Sequence, residues 1–455
     1  MTAELLGSIL LTSMLALFCI FPTSGAVIKV ENDTKEIVYL QPEDSLGFRE
    51  LKGSVSYVQI SAVHPVYYRF VDGQSNFHSI FVEGNDTLIV KYDGKRVTYR
   101  GLLQKENEFL EQHCFNARTP ENIIMYSKEW VSYNEQALSK LYSSLDSAGL
   151  GESFQKIQKL YYRNIWLQQL MSVKTMNLFG HGNMHIDADY FDFLKNLFYE
   201  DEEYAFVPNW FSVMTSTFEE MERQGFIETT PADYMARYAA RITSPALRSH
   251  YLLKLLQFVL QKGYADDYLG YINNVKPLLT KEDMASIPSL IAQFENVRKQ
   301  NAKVLRGTPM TSFVAQDIDG KSYQSDDFKG KLLVIDFWFT GCVPCRAEMP
   351  YLDRLSLKYK GQPIQFLSVS LDAGEQLMGK WREMITHHRG DTQVLFLNLP
   401  NGFKNPFTSE MNIRSVPRIM LIGQDGKIID SYAKRPSDPK LEKQLDALLE
   451  LIRQK

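Results

Sequence analysis

The sequence predicts a multidomain protein with an N-terminal antiparallel β-sandwich, a central all-α region and a C-terminal α/β domain. The chain has 455 residues, which is the length of roughly two to four domains. After a leader over residues 1–26, short β-branched and aromatic runs fill residues 27–101. Helical periodicity fills residues 102–304, and strands alternate with helices over residues 305–455. These changes of pattern set the predicted domain boundaries.

The composition is that of a globular chain without an excess of basic charge. The sequence has 50 Lys and Arg against 54 Asp and Glu, so nucleic acid is not an expected partner. Hydrophobic residues make up 44% and charged residues 23%, which excludes a disordered or collagen-like chain. The four Cys are too few for a disulfide-stapled scaffold, so a close pair among them is interpreted as chemistry.

The leader has the layout of a secretory signal peptide. Residues 5–21 are almost wholly apolar, and small residues lead to a cleavage site after Ala26. This predicts export to the periplasm or cell envelope. Residues 1–4 lack Lys and Arg, and the apolar run approaches the length that spans a bilayer. An uncleaved, membrane-anchored form is therefore the alternative.

Two segments before residue 305 are defined by their periodicity. Residues 27–101 contain seven strand-like runs separated by turn signals, and Asp93-Gly94 predicts a hairpin. Residues 102–304 contain long runs with apolar residues at i, i+3, i+4 and i+7, with predicted helix caps at Thr119, Thr230 and Thr280. The His and Asp residues of segment 181–189 are of the types that bind metals, but nothing in the sequence fixes their relative positions. The segment is therefore interpreted as a polar connection.

The last third of the chain has the pattern of an α/β domain with a central sheet. KLLVIDFWF, IQFLSVSL, VLFLNL, RIMLIG and KIIDSY are the predicted strands. Helices are predicted over residues 346–360 and 375–386 and from Asp438 onward. Alternating strands and helices favour this fold class.

Cys342 and Cys345 form a C-x-x-C motif between an apolar strand and a helix. A zinc site would need two more ligands at similar spacing, which the neighbouring sequence does not offer. A static disulfide is also disfavoured, because closing so short a loop removes little chain entropy. A helix N-terminus stabilises a thiolate. The pattern therefore predicts a redox dithiol in which Cys342 attacks a substrate disulfide and Cys345 resolves the mixed disulfide.

The segment DFWFTGCVPCRAEMP, residues 336–350, resembles the active site of thioredoxin-fold proteins, and in particular the TlpA/ResA-type thiol-disulfide oxidoreductases. Pro350, the segment around Pro417 and the insertion over residues 371–398 extend the resemblance to about a third of the chain. It implies a thioredoxin fold. No metal and no cofactor are expected. The preceding domains are similar to those of multidomain members from Bacteroidetes-type bacteria.

The resemblance implies roles for two acidic residues. Asp336 would be a buried acid with a raised pKa that exchanges a proton with Cys345, and a polar position at the strand edge is the alternative. Glu348 would be the active-site glutamate of the ResA group. Its alternative is an ordinary acid in the first turn of a helix, where the helix dipole favours negative charge.

The resemblance also implies a substrate-binding surface. Pro417 would be cis and would present the Val416 backbone to the substrate, and Trp338 would line the active-site surface unless it packs in the core. Two residues depart from the family pattern. Gly341 replaces a Trp, which predicts a more open thiol, and Arg418 after the proline predicts a cation beside the thiolate.

The predicted function is an envelope thiol-disulfide oxidoreductase that reduces disulfides of substrate proteins. Its partners would be those proteins and an upstream thiol reductant, such as a membrane electron-transfer protein. The alternative is a binding protein whose N-terminal domains recognise a partner and whose thioredoxin-like domain is accessory. A peroxiredoxin-type peroxidase is disfavoured, because the Thr and Pro that would precede its single Cys are missing. Cys114 is interpreted as a buried small residue, and the alternatives are an intermolecular disulfide or a target of the C-terminal dithiol.

Overall fold

A computed structural model describes most of the chain after the leader. The described residues are 26–43, 48–60, 64–85, 87–113, 115, 123–172, 186–230, 233–261, 263–388 and 392–454. They divide into two compact units, one with residues up to 170 and 201–220, the other with residues 171–200 and 221–455. The leader up to residue 25, Cys114, Thr119 and most of segment 181–189 lie outside the described residues. The predicted domain boundaries stay a prediction.

The first unit begins with two four-stranded sheets, in the strand orders β4-β1-β7-β8 and β3-β2-β5-β6. The strands are β1 (Ala26–Asn32), β2 (Val38–Pro42), β3 (Arg49–Leu51), β4 (Val55–Ile60), β5 (Val66–Val71), β6 (Phe77–Val82), β7 (Thr87–Tyr92) and β8 (Val97–Arg100). Side chains from both sheets pack in one core, which includes Ile28, Phe70 and Val90. This core forms because β-branched and aromatic side chains alternate with polar ones along the strands.

One strand pairing corrects the antiparallel prediction. β1 and β7 run parallel, with Val30 opposite Val90. They are far apart in the chain, so no short turn forces them to be antiparallel. The predicted hairpin between β7 and β8 is antiparallel, and Gly94 in its turn has a φ of +90°. Glycine adopts this φ without a steric penalty.

The helical region contributes to both units. Its helices are α1 (Gln104–Gln112), α2 (Lys128–Ser147), α3 (Glu152–Leu170), α4 (Trp210–Arg223), α5 (Tyr234–Ala239), α6 (Pro245–Leu260), α7 (Tyr268–Val275), α8 (Lys281–Ala285) and α9 (Ile287–Gln300). Thr280 caps α8 as predicted, because its side chain accepts a hydrogen bond from the N–H of Asp283 at 3.2 Å. Among the described residues, no helix combines the length and the apolar character needed to cross a bilayer.

The C-terminal part of the second unit is built on one seven-stranded sheet, in the order β10-β9-β13-β12-β11-β14-β15. Its elements are β9 (Val314–Gln316), β10 (Ser322–Gln324), β11 (Leu332–Trp338), α10 (Val343–Lys358), β12 (Ile364–Ser370), α11 (Glu375–His387), β13 (Val394–Asn398), α12 (Pro406–Glu410), β14 (Arg418–Ile422), β15 (Ile428–Ala433) and α13 (Pro439–Arg453). β11, β12 and β13 are parallel, and β14 is antiparallel to β11. The predicted α/β domain is confirmed.

The central strand β11 has both faces buried. Residues 333, 335 and 337 pack in one core. Leu332 and Val334 pack in the other core, against Leu352 and Leu355 of α10. Because side chains alternate along a strand, Asp336 leaves the sheet on the α10 side. This places the acid beneath the helix that follows Cys342.

Candidate active site

Cys342 is the N-cap residue of α10. Its Sγ accepts a hydrogen bond from the N–H of Cys345 at 3.2 Å, and its carbonyl accepts one from the N–H of Arg346 at 3.1 Å. Pro344 lies in the first turn, where its missing N–H leaves no hydrogen bond unmade. The sulfur therefore lies at the positive end of the helix dipole, where a thiolate is stabilised.

Cys342 and Cys345 are joined by a disulfide bond. Their Cα atoms are 5.3 Å apart, which is inside the usual range of roughly 4.4–6.8 Å. Cys345 is fully buried, and Cys342 is 6% exposed. The first cysteine of the motif is therefore the one that solvent reaches. The bonded pair is one of the two states that dithiol–disulfide exchange requires.

An aromatic ring lies beside Gly341, the residue before the first cysteine of the motif. A Cβ atom built on Gly341 would be 2.7 Å from Cε2 of Phe339. Phe339 also packs against the cluster that contains both cysteines. The ring takes up the space into which a larger residue at position 341 would project. The prediction that Gly341 makes the Cys342 thiol more open than in its relatives stays a prediction; in the disulfide-bonded pair Cys342 is 6% exposed.

Asp336 is a buried acid. It is 1% exposed, and its Oδ1 atom has no hydrogen-bond partner among the described residues. Burial, and then the negative charge of Glu348, raise the pKa of Asp336 to about 8. This burial rules out the alternative of a polar strand edge. A carboxyl group with this pKa can take up and release a proton near neutral pH.

Glu348 lies on α10 and is also buried. Its Oε2 atom accepts a hydrogen bond from the N–H of Ser437 at 2.8 Å, and its Oε1 atom accepts one from the Ser437 hydroxyl at 2.8 Å. These two bonds connect α10 to the segment before α13. Glu348 is thus a buried, hydrogen-bonded carboxylate rather than an exposed acid of the first helical turn.

The Val416–Pro417 segment and Trp338 were both predicted to form the substrate-binding surface. Both lie next to the dithiol, but only the Val416–Pro417 segment is partly exposed. The Val416–Pro417 peptide bond is cis, as predicted. Val416 is half-buried and packs against the cluster that contains both cysteines. Trp338 belongs to the same cluster and is fully buried, on the α10 side of β11. The structure therefore corrects its predicted place at the active-site surface, because strand alternation turns the indole into the core.

Arg418 does not supply a cation beside the thiol. It is opposite Phe337 on the neighbouring strand, so its side chain leaves the sheet on the face away from α10. The guanidinium is 4.2 Å from the ring centre of Tyr432 and 5.4 Å from that of Tyr264. Its Nε atom donates to the carbonyl of Ser431. The sequence prediction was wrong because strand pairing, and not distance along the chain, decides the face.

A buried polar network holds the loop before the dithiol, and the sequence did not single it out. Asp372 accepts hydrogen bonds from the Thr340 N–H at 2.9 Å, the Thr340 hydroxyl at 2.8 Å and the Ser370 hydroxyl at 2.7 Å. The Asn398 side chain donates to the Asp372 carbonyl at 2.9 Å. The available signal was that these polar residues end or follow three apolar strands. Parallel pairing brings such strand ends together.

Within the ranges that the structure describes, no three His, Cys, Asp or Glu side chains converge as a metal site would require. The site contains a dithiol at a helix N-terminus and a buried acid on the strand beneath it. Together these groups can exchange electrons and protons with a disulfide.

Comparison with known proteins agrees with this chemistry. Residues 305–449 match the family model described as Redoxin. The thiol-disulfide oxidoreductase ResA of Bacillus thuringiensis is 29% identical over 150 residues, which cover 31% of this chain and 76% of that protein. ResA of Bacillus cereus is 26% identical over 162 residues, with 33% and 83% covered. The thioredoxin domain of a thiol-disulfide oxidoreductase from Bacteroides vulgatus is 26% identical, with 32% and 97% covered and a TM-score of 0.28.

The C-terminal domain is a thioredoxin-fold domain of the redoxin class. Within that class the chain is similar to the ResA thiol-disulfide oxidoreductases, and it is an oxidoreductase of this type. The resemblance inferred from the sequence is confirmed for this third of the chain.

Proposed function

We propose that the protein reduces disulfide bonds of other proteins in the cell envelope, through dithiol–disulfide exchange at Cys342 and Cys345. The supporting observation is the place of the Cys342 sulfur at the N-terminus of α10, where the Cys345 N–H donates to it at 3.2 Å. The same helix end stabilises a thiolate once the disulfide is reduced. The ResA relatives support the reaction type, and the predicted leader supports the envelope location.

The exchange begins with the reduced protein. The Cys342 thiolate forms a bond to one sulfur of the substrate disulfide, the substrate S–S bond breaks, and the released sulfur takes up a proton. Cys345 then loses its proton and bonds to the Cys342 sulfur, which breaks the mixed disulfide. The second substrate sulfur leaves as a thiolate and is protonated. Two electrons have passed to the substrate, and the protein ends with the disulfide described above.

In this proposal Asp336 exchanges a proton with Cys345: the ionised carboxylate accepts the Cys345 proton, and the protonated carboxyl can return it. The Asp336 carboxyl lies on the α10 side of β11, and its pKa of about 8 matches a proton that moves near neutral pH. Glu348 acts on Asp336 through its charge, since a nearby negative charge raises the pKa of an acid. Its two hydrogen bonds to Ser437 hold that charge in place.

The substrate and the reductant meet the dithiol at its exposed edge. The half-buried segment at Val416 and Pro417 supplies the backbone against which an extended substrate segment binds. An upstream thiol reductant returns two electrons and two protons to the Cys342–Cys345 disulfide. A membrane electron-transfer protein is the class of reductant that the family resemblance suggests.

Insulin reduction by the full-length protein, with dithiothreitol as the electron donor, tests this proposal. We expect the wild type to accelerate the reaction and Cys342→Ala to abolish the acceleration. In a Cys114→Ala background, Cys345→Ala that has been reduced and then freed of dithiothreitol should accumulate a mixed disulfide with insulin through Cys342, and dithiothreitol added afterwards should release it. Cys114→Ala alone is the matched control and should retain wild-type activity. Activity that survives Cys342→Ala would refute the assignment of the nucleophile.

A further inference from the structure

Phe339 packs beside the dithiol, and a second aromatic side chain, Phe403, contacts its ring. Phe339, in the loop between β11 and α10, is half-buried against the cluster that contains both cysteines. Phe403, in the short turn Gly402–Lys404, is 43% exposed. Their ring centres are 6.3 Å apart and their planes are inclined by 71°, an edge-to-face contact. One ring is therefore anchored in the site, and the other extends the apolar surface towards solvent.

The backbone fixes this ring pair relative to the reactive sulfur. The Cys342 N–H donates to the Phe339 carbonyl at 2.9 Å, so one tight turn carries both residues. Gly402 has a φ of +51°, and a Cβ atom there would be 2.1 Å from the carbonyl oxygen of Leu371. Since Leu371 directly follows β12, this close approach holds the turn with Phe403 at the carboxyl end of the sheet. Glycine is the residue that permits it.

Gly341 makes room for the first ring. A Cβ atom at this position would be 2.7 Å from Cε2 of Phe339, which is too close without a shift of the ring. The absence of a side chain at 341 and the place of the Phe339 ring are therefore parts of one arrangement. A substitution at position 341 can therefore shift the Phe339 ring while Phe339 itself stays in the chain.

We propose that Phe339 and Phe403 form a specificity-determining contact for an apolar side chain next to the attacked cysteine of the substrate. This inference rests on the proposed function and deepens it. The occupant is the polypeptide segment that carries the disulfide, because the bond to the Cys342 sulfur brings its neighbouring residues to the ring pair. An apolar neighbour buries ring surface that is otherwise exposed, whereas a polar neighbour loses water without gaining a partner.

The test compares two disulfide peptides that differ in one residue beside the cysteine, Leu in one and Ser in the other. We measure kcat/KM for their reduction by the reduced, full-length protein. The wild type should prefer the Leu peptide by about 10-fold or more, the range that one apolar contact gives. Phe403→Ser should bring this preference close to one, mainly through the Leu peptide, at an unchanged reduction potential of the dithiol.

Two further variants keep the test independent of misfolding. Leu451→Ser is the matched control, because Leu451 is a 57% exposed leucine in α13 of the same domain and lies outside the cluster around the cysteines. It should retain the wild-type preference. Gly341→Ala should lower the preference while both rings remain in the chain, because the new methyl group displaces the Phe339 ring.

The outcomes separate this inference from the proposed function. If the wild type reduces neither peptide, the proposed function fails. If it reduces both peptides and Phe403→Ser keeps the preference of the wild type, the aromatic contact is refuted while the proposed function stands. A wild type that reduces both peptides equally also refutes the contact.

Discussion

Asp336→Asn tests the buried acid directly, because it removes a titrating proton and keeps the shape of the side chain. Burial raises the pKa of Asp336 from its ordinary 3.8 to about 8 in the folded protein. The folded state therefore holds the proton more tightly than the unfolded state does. The contribution of Asp336 to the free energy of unfolding is therefore highest below about pH 4. It is lost as the pH rises towards 8, because the unfolded state releases this proton first.

The size of the effect follows from the two pKa values. One pKa unit corresponds to about 1.4 kcal/mol. The difference between the ordinary pKa of 3.8 and pH 7 thus corresponds to ~4 kcal/mol of lost stability in the wild type. The Asp336→Asn variant does not lose this stability, because its amide does not titrate. The buried amide costs about 1–3 kcal/mol at every pH, because its N–H groups have to find partners. We expect a net gain of ~1–3 kcal/mol at pH 7.

The pH dependence is the sharper readout. We would measure native-state hydrogen exchange of peptides from β11 in the oxidised, full-length protein between pH 5 and pH 8, corrected for intrinsic exchange rates. The stability difference between Asp336→Asn and the wild type should grow by about 1.4 kcal/mol per pH unit. Asp326→Asn, at an exposed acid paired with Lys329, should show no such trend. An equal difference at pH 5 and pH 8 would refute the raised pKa.

Three further substitutions test other contacts of the domain. Thr340→Val removes the hydroxyl that donates to Asp372, so urea unfolding should show a loss of about 1–3 kcal/mol, with unchanged stability speaking against the network. Ser437→Ala removes one hydrogen bond to the Glu348 carboxylate, with an expected loss of about 1.5–3 kcal/mol in the same assay. Arg418→Met should leave the reduction potential in glutathione buffers unchanged, because Arg418 lies on the far face of the sheet; a shift above about 30 mV would contradict this placement.

The sequence was most informative where a periodic pattern is long enough to be recognised. In the C-terminal domain, the strands of five to seven residues and the helices of 13 residues or more were predicted close to their observed places. The strands β3, β9 and β10 were not predicted, since three residues show no alternation. The parallel pairing of β1 and β7 was also missed, because sequence patterns report neighbours in the chain and not distant partners.

The candidate site shows the same division. The sequence placed Cys342 and Cys345 at the start of a helix, and the family resemblance supplied the cis peptide bond at Pro417. It misplaced Arg418 and Trp338, because their roles depend on the sheet face towards which each side chain points. That face follows from strand register, which is set by the packing of both cores.

By itself, the sequence determined the order of the longer strands and helices of the C-terminal domain, the dithiol and its position at a helix N-terminus. These features depend on residues within a few positions of one another, so local patterns are sufficient. Only the tertiary structure decided that Asp336 is buried with a raised pKa, that Ser437 holds Glu348, and that the ring of Phe339 fills the space left by Gly341. Burial and hydrogen bonding between distant segments arise when the sheet and its helices pack, and no local pattern specifies them.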